Sequence, residues 1–127
     1  ISTLEHIGMD NSIYGGTAEA RPETAMDAMG EVLRVTRGPV LVTVPFDERG
    51  LTQRKAFKRA VEWRTFKSMD ISKLEAVATH YGRPVETCFY WTQGDGWFGG
   101  ADIPATNVPD LGPGLVTQIA CLQIGHV

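Results

Sequence analysis

Residues 1–46 read ISTLEHIGMDNSIYGGTAEARPETAMDAMGEVLRVTRGPVLVTVPF, and this stretch decides the fold. A strand-like piece is under way at Ile1 and ends at His6-Ile7-Gly8. A polar loop follows, with the turn formers Asp10, Asn11, Gly15 and Gly16. Pro22 to Val35 then places Ala25, Met26, Met29, Val32 and Leu33 at helical spacing, so one face is apolar. Pro22 suits the first helical position, Glu23 suits the positive end of the helix dipole, and Gly38 suits the turn out. Val40 to Val44 is nearly continuously apolar, as expected of a strand covered on both faces. Strand, crossover helix and strand together make the βαβ unit of a parallel sheet.

Outward from that unit, the chain of 127 residues is enough for one domain, 1–127, with one core. Its net charge of −3 speaks against general binding to nucleic acid or to acidic membrane. No apolar run approaches the ~20 residues that span a bilayer, and no signal-peptide pattern is present, so a cytoplasmic protein is expected. Cys88 and Cys121 each lie in an apolar segment and read as buried free thiols of a reducing compartment.

Residues 47–69 carry Arg49, Arg54, Lys55, Lys58, Arg59, Arg64 and Lys67, seven of the twelve basic residues. Phe57, Val61 and Trp63 would give a short helix an inner face. The basic groups read either as its solvated side or as the wall of a site for an acidic or phosphorylated ligand. Asp70 to Tyr81 is a stronger helix, with Ile71, Leu74, Val77, Ala78 and Tyr81 on one face and Gly82 as its stop. Asp70 or Ser72 is its expected cap, and Ser72 with Glu75 fits a capping box. Val85 to Thr92 reads as a strand. Gln93 to Gly114 reads as a long, turn-rich loop. Leu115 to Ile124 is apolar on both alternations, which predicts a central strand. No helix separates it from Val85–Thr92, so the two are expected to pair antiparallel.

Several pieces converge on one family. They are ISTLEHIG, where a strand ends in Glu-His-hydrophobic; EVLRVTRGPVLVTVPF, a helix, turn and strand; Met69-Asp70-Ile71 through Leu74; and the late strands Val85–Thr92 and Leu115–Ile124. In this order they resemble the C-terminal half of a class I S-adenosylmethionine-dependent methyltransferase. The resemblance implies an α/β fold. It would be a partial Rossmann-like methyltransferase sheet of strands 4-5-7-6, with flanking helices and the last strand antiparallel. The family's first strand with its GxGxG-type turn, and the acidic residue ending its second strand, have no counterpart here. The later glycines Gly94, Gly96, Gly99 and Gly100 open no helix and do not replace them. The expectation is a truncated gene product, a fragment or one part of a split protein.

The resemblance implies S-adenosylmethionine as cofactor and a small molecule as methyl acceptor. It places Leu4, Glu5, His6 and Ile7 at the cofactor end of a parallel strand. His6 is the candidate catalytic base, since an imidazole suits proton removal near neutral pH. The plainer reading is that His6 hydrogen-bonds the following loop. Phe46 and Arg49, just after the second strand, and Trp97 in the late loop are the acceptor-binding candidates. Core or loop-anchoring roles are the alternative for the aromatic residues. A metal-assisted variant would need a carboxylate where Ser2 stands, so no metal is expected.

Two classes of function follow. One is part of a methyltransferase. The other is a non-catalytic α/β binding or assembly module that keeps the half-fold. In either, the strand at Ile1–Glu5 would form a sheet edge, and a two-fold dimer is the expected way to cover it.

Overall fold

The computed structural model describes residues 24–50, 52–56, 60–107 and 116–127. In chain order they form α1 (Thr24–Val35), β1 (Val40–Pro45), β2 (Thr52–Ala56), β3 (Ala60–Arg64), α2 (Ser68–His80), β4 (Val85–Gln93), β5 (Gly96–Gly100) and β6 (Gln118–Ile124). The architecture is α/β. Four strands make an antiparallel sheet of order β1-β6-β4-β5, and β2 and β3 form a separate hairpin.

α1 buries Ala25, Met29 and Leu33, four residues apart, as its apolar stripe requires. α2 buries Ile71, Leu74 and Ala78 and packs against α1. Both helices share a core with the inward alternation of the sheet, which is Val40, Val42 and Val44 of β1 and Ala120, Leu122 and Ile124 of β6. Phe46 and Phe66 complete it.

β6 lies between β1 and β4 and pairs antiparallel with both, for example Val42 with Leu122 and Leu122 with Thr87. The central position expected from its two apolar alternations is therefore met. β1 differs from expectation. Its burial alternates, and Leu41, on the face away from the helices, is 53% exposed.

Residues 47–69 also depart from expectation, because the short helix is replaced by β2 and β3, with Gln53 opposite Trp63 and Lys55 opposite Val61. Val61 and Trp63 are two residues apart, which is the strand period, and both are residue types that favour strands. The loop expected over 93–114 contains β5. A two-residue turn, Gly94-Asp95, joins it to β4, with Gly94 at φ +61°. That is the glycine-first arrangement of a tight hairpin.

α2 begins two residues earlier than expected. Its entry is Lys67, whose N–H donates to Oδ2 of Asp70 at 3.1 Å, so Asp70 serves from the third helical position. Its end is as expected. Gly82 sits at φ +68°. Its N–H donates to Thr79 O at 2.9 Å, and the N–H of Arg83 donates to Ala78 O at 3.0 Å. This is the Schellman arrangement that glycine permits. Pro22, Glu23 and the residues from Ile1 to Gly8, where a parallel strand is expected, lie outside the described residues.

Candidate functional site

β1 and β4 run in the same direction, since each is antiparallel to β6 in between. A cleft of about 370 Å³ lies past the carboxyl end of β1, against Phe89 midway along β4. Its floor is built where β1 leaves the sheet. Phe46 N–H donates to Gln118 O at 2.9 Å. Phe66 N–H donates to Pro45 O at 2.7 Å, and Asp47 N–H to Phe66 O at 2.9 Å, so Phe46 and Phe66 lie side by side in parallel. Phe89 of β4 meets Phe46 edge-on, with ring centroids 5.0 Å apart.

The chain then turns at Asp47-Glu48-Arg49-Gly50, with Gly50 N–H donating to Asp47 O at 2.9 Å and Gly50 at φ +60°. Inside the turn Asp47 is buried and Arg49 folds back onto it. Oδ1 accepts from the Arg49 backbone N–H at 2.8 Å and from Nε at 3.1 Å, and Oδ2 accepts from Nη2 at 2.9 Å. Burial pushes the Asp47 carboxyl up, but the three hydrogen bonds and the charge of Arg49 outweigh it and hold it below the ordinary value. Arg49 is raised in turn, chiefly by its hydrogen bonds to Asp47.

Glu48 points to the second helix. Its carboxylate accepts from Ser68 N–H at 3.0 Å and from Ser68 Oγ, an anion placed at the amino end of α2. The opposite wall comes from the segment after β5, with Asp102, Ile103, Pro104 and Asn107, and from Gln118 at the start of β6. Asn107 N–H donates to Pro104 O at 2.9 Å, which closes a turn there.

One side-chain amide is buried without a hydrogen-bond partner among the described residues, Nδ2 of Asn107. Gln118 is only 6% exposed and lines the same cleft. Buried amides normally find partners, so the unused Asn107 N–H marks where a ligand would bond.

Of the residues singled out in the sequence, Phe46 and Arg49 line this cleft together. Arg49, however, directs its guanidinium to Asp47. Trp97 is not in the cleft. It stands on β5 opposite Thr92, on the face away from the helices, and is 52% exposed. Leu4, Glu5, His6 and Ile7 lie outside the described residues, as does Ser2. Among the described residues no three His, Cys, Asp or Glu side chains come together to hold a metal ion. No described helix is long and apolar enough to cross a membrane. Cys88 and Cys121 are free thiols in directly opposed positions of β4 and β6, the first half-buried and the second buried.

The sequence reading did not single out Gln118, Asn107 or Glu48 as site residues. Gln118 carried one signal, a polar amide at the head of a mostly apolar strand, QIACLQI. A larger cleft of about 670 Å³ lies at the amino end of β1, between Leu41, Glu86 and Gln123. It is the less suited to chemistry, because Glu86 is the only charged side chain among the described residues of its lining. No family model, no curated protein and no solved structure matches this chain.

Proposed function

We propose that this chain forms the acceptor-side half of a class I S-adenosylmethionine-dependent methyltransferase that acts on a small molecule. One observation carries the reading. β1, β6 and β4 stand side by side in that order, with β6 antiparallel to both neighbours. If β1 is the fifth strand of that fold, this is the sequence 5-7-6 of its sheet. The cleft past the carboxyl end of β1 supports the same reading, because ligands of open α/β sheets bind beyond such strand ends.

On this reading the cleft orients the acceptor against the floor of Phe46 and Phe89. S-adenosylmethionine, when bound, would supply an electrophilic methyl group and leave as S-adenosylhomocysteine. His6 would take the proton that the acceptor's oxygen or nitrogen loses. Leu4, Glu5 and Ile7 belong to the cofactor side. A two-fold dimer that covers the Ile1–Glu5 region is part of the proposal. Light scattering at micromolar concentration tests it, and a stable monomer would reject the dimer. Transfer of labelled methyl to an acceptor by the full-length gene product, lost in His6→Ala, tests the catalytic reading.

A further inference from the structure

We propose that the cleft between Phe46 and Gln118 binds a neutral, polyhydroxylated ligand of single-sugar size and discriminates against its phosphorylated form. This rests on the methyltransferase reading only for the role of that ligand as methyl acceptor; the binding chemistry stands on the cleft itself.

The cavity, about 370 Å³, falls in the range of small-molecule sites. Charge settles the first choice. Asp47, Glu48 and Asp102 set three carboxylates against the single guanidinium of Arg49, which is already bonded at two points to Asp47. A phosphate brings only acceptor oxygens and about two negative charges, and would meet like charge without a free cation among the described lining residues. The basic stretch 49–67, read from sequence as a wall for an acidic ligand, does not supply one through Arg49.

The amides settle the second choice. Asn107 offers a buried N–H donor that needs an acceptor, and Gln118 adds a second amide to the lining. An ammonium ion carries donors only, so it would pair with Asp102 and leave the Asn107 N–H unmet. A hydroxyl is donor and acceptor at once. It gives a proton to the Asp102 carboxylate or an amide oxygen and takes one from an amide N–H. Two or three neighbouring hydroxyls on an apolar ring therefore match the two amides, the carboxylate and the Phe46–Phe89 floor. A ligand of that kind also relieves the cost of leaving the buried Asn107 amide N–H unbonded.

The test is a titration of the isotope-labelled full chain, followed through its side-chain amide NMR signals. The probes are a methyl hexopyranoside, a hexose 6-phosphate and methylammonium. The hexopyranoside is expected to shift the Gln118 and Asn107 amide signals saturably. The 6-phosphate and methylammonium are expected to bind at least about tenfold more weakly. Gln118→Ala is expected to weaken the hexopyranoside by about tenfold with the rest of the spectrum unchanged. Tighter binding of the phosphate or the ammonium, or no movement of either amide signal with the hexopyranoside, overturns the proposal. The discrimination among probes is read on the unaltered chain, so it does not depend on the variant folding. S-adenosylhomocysteine, titrated separately into the full-length gene product, reads the methyltransferase proposal. Sugar binding without it sinks that reading alone, and the reverse sinks this one alone.

Discussion

Arg49 holds Asp47 by two points of its guanidinium, Nε to Oδ1 at 3.1 Å and Nη2 to Oδ2 at 2.9 Å. The pair does two things. It closes the turn that carries the chain out of β1, and it neutralises the cation that Arg49 brings to the cleft. Both follow from a bidentate geometry that arginine, but not lysine, makes with a carboxylate.

The depressed carboxyl of Asp47 makes stability depend on acid. Its folded value lies below the unfolded one, so its contribution is present above the unfolded carboxyl value and is lost as pH falls through the folded value. Asp47→Asn should therefore lower the melting temperature by a few degrees at neutral pH. That gap should close below about pH 4. Thermal melts of both proteins across this range check it, and a gap unchanged from neutral pH to about pH 2 contradicts it.

Arg83 is a structural tie rather than a site residue. It is 2% exposed, and its guanidinium donates to Gly125 O at 2.6 Å, to Thr36 O at 2.8 Å and to Gly38 O. It thus joins the end of α2 to the turn before β1 and to the end of β6. Arg83→Leu strands three carbonyl groups and should cost roughly 3 kcal/mol or more. Arg83→Lys should recover little, because one ammonium does not reproduce the planar fork. Urea denaturation measures both.

Gly82 needs its backbone rather than its lack of volume. At φ +68° an added Cβ meets no atom within 4 Å. Gly82→Ala should cost about 1 kcal/mol from the left-handed conformation alone, and Gly82→Asn less. Equal stability of Gly82→Ala and the parent in urea would contradict this.

Gly99 is the opposite case. A Cβ there would lie 2.8 Å from Cε1 of Tyr90 and 2.9 Å from its Cδ1, because the ring lies across the glycine of the neighbouring strand. Gly99→Ala should displace the ring and loosen the β4–β5 hairpin. In a double-mutant cycle, the same change made on Tyr90→Ala should cost clearly less. Additive losses would show that the ring does not matter.

What was legible in the sequence was what repeats locally. α1 showed itself through Ala25, Met29 and Leu33, α2 through Ile71, Leu74 and Ala78, and its end through Gly82. β6 was legible as a central strand because both of its faces are apolar. Val61 and Trp63 carried the strand period, but the basic residues around them drew the reading towards a solvated helix. β5 was hidden among glycines, although Gly94-Asp95 between two aromatic runs is a hairpin turn. The site was the least legible part. Glu48 reaches Ser68 twenty residues away. Gln118 meets Phe46 across more than half the chain. No periodicity records such contacts, since they come from the packing of strands distant in sequence.

The measurement that bears most directly on the account is calorimetric titration of S-adenosylhomocysteine into the full-length gene product. The account predicts saturable binding at one site per chain, with a Kd in the micromolar range, about −8 kcal/mol. Absence of heat, with no change in melting temperature at saturating ligand, would contradict it.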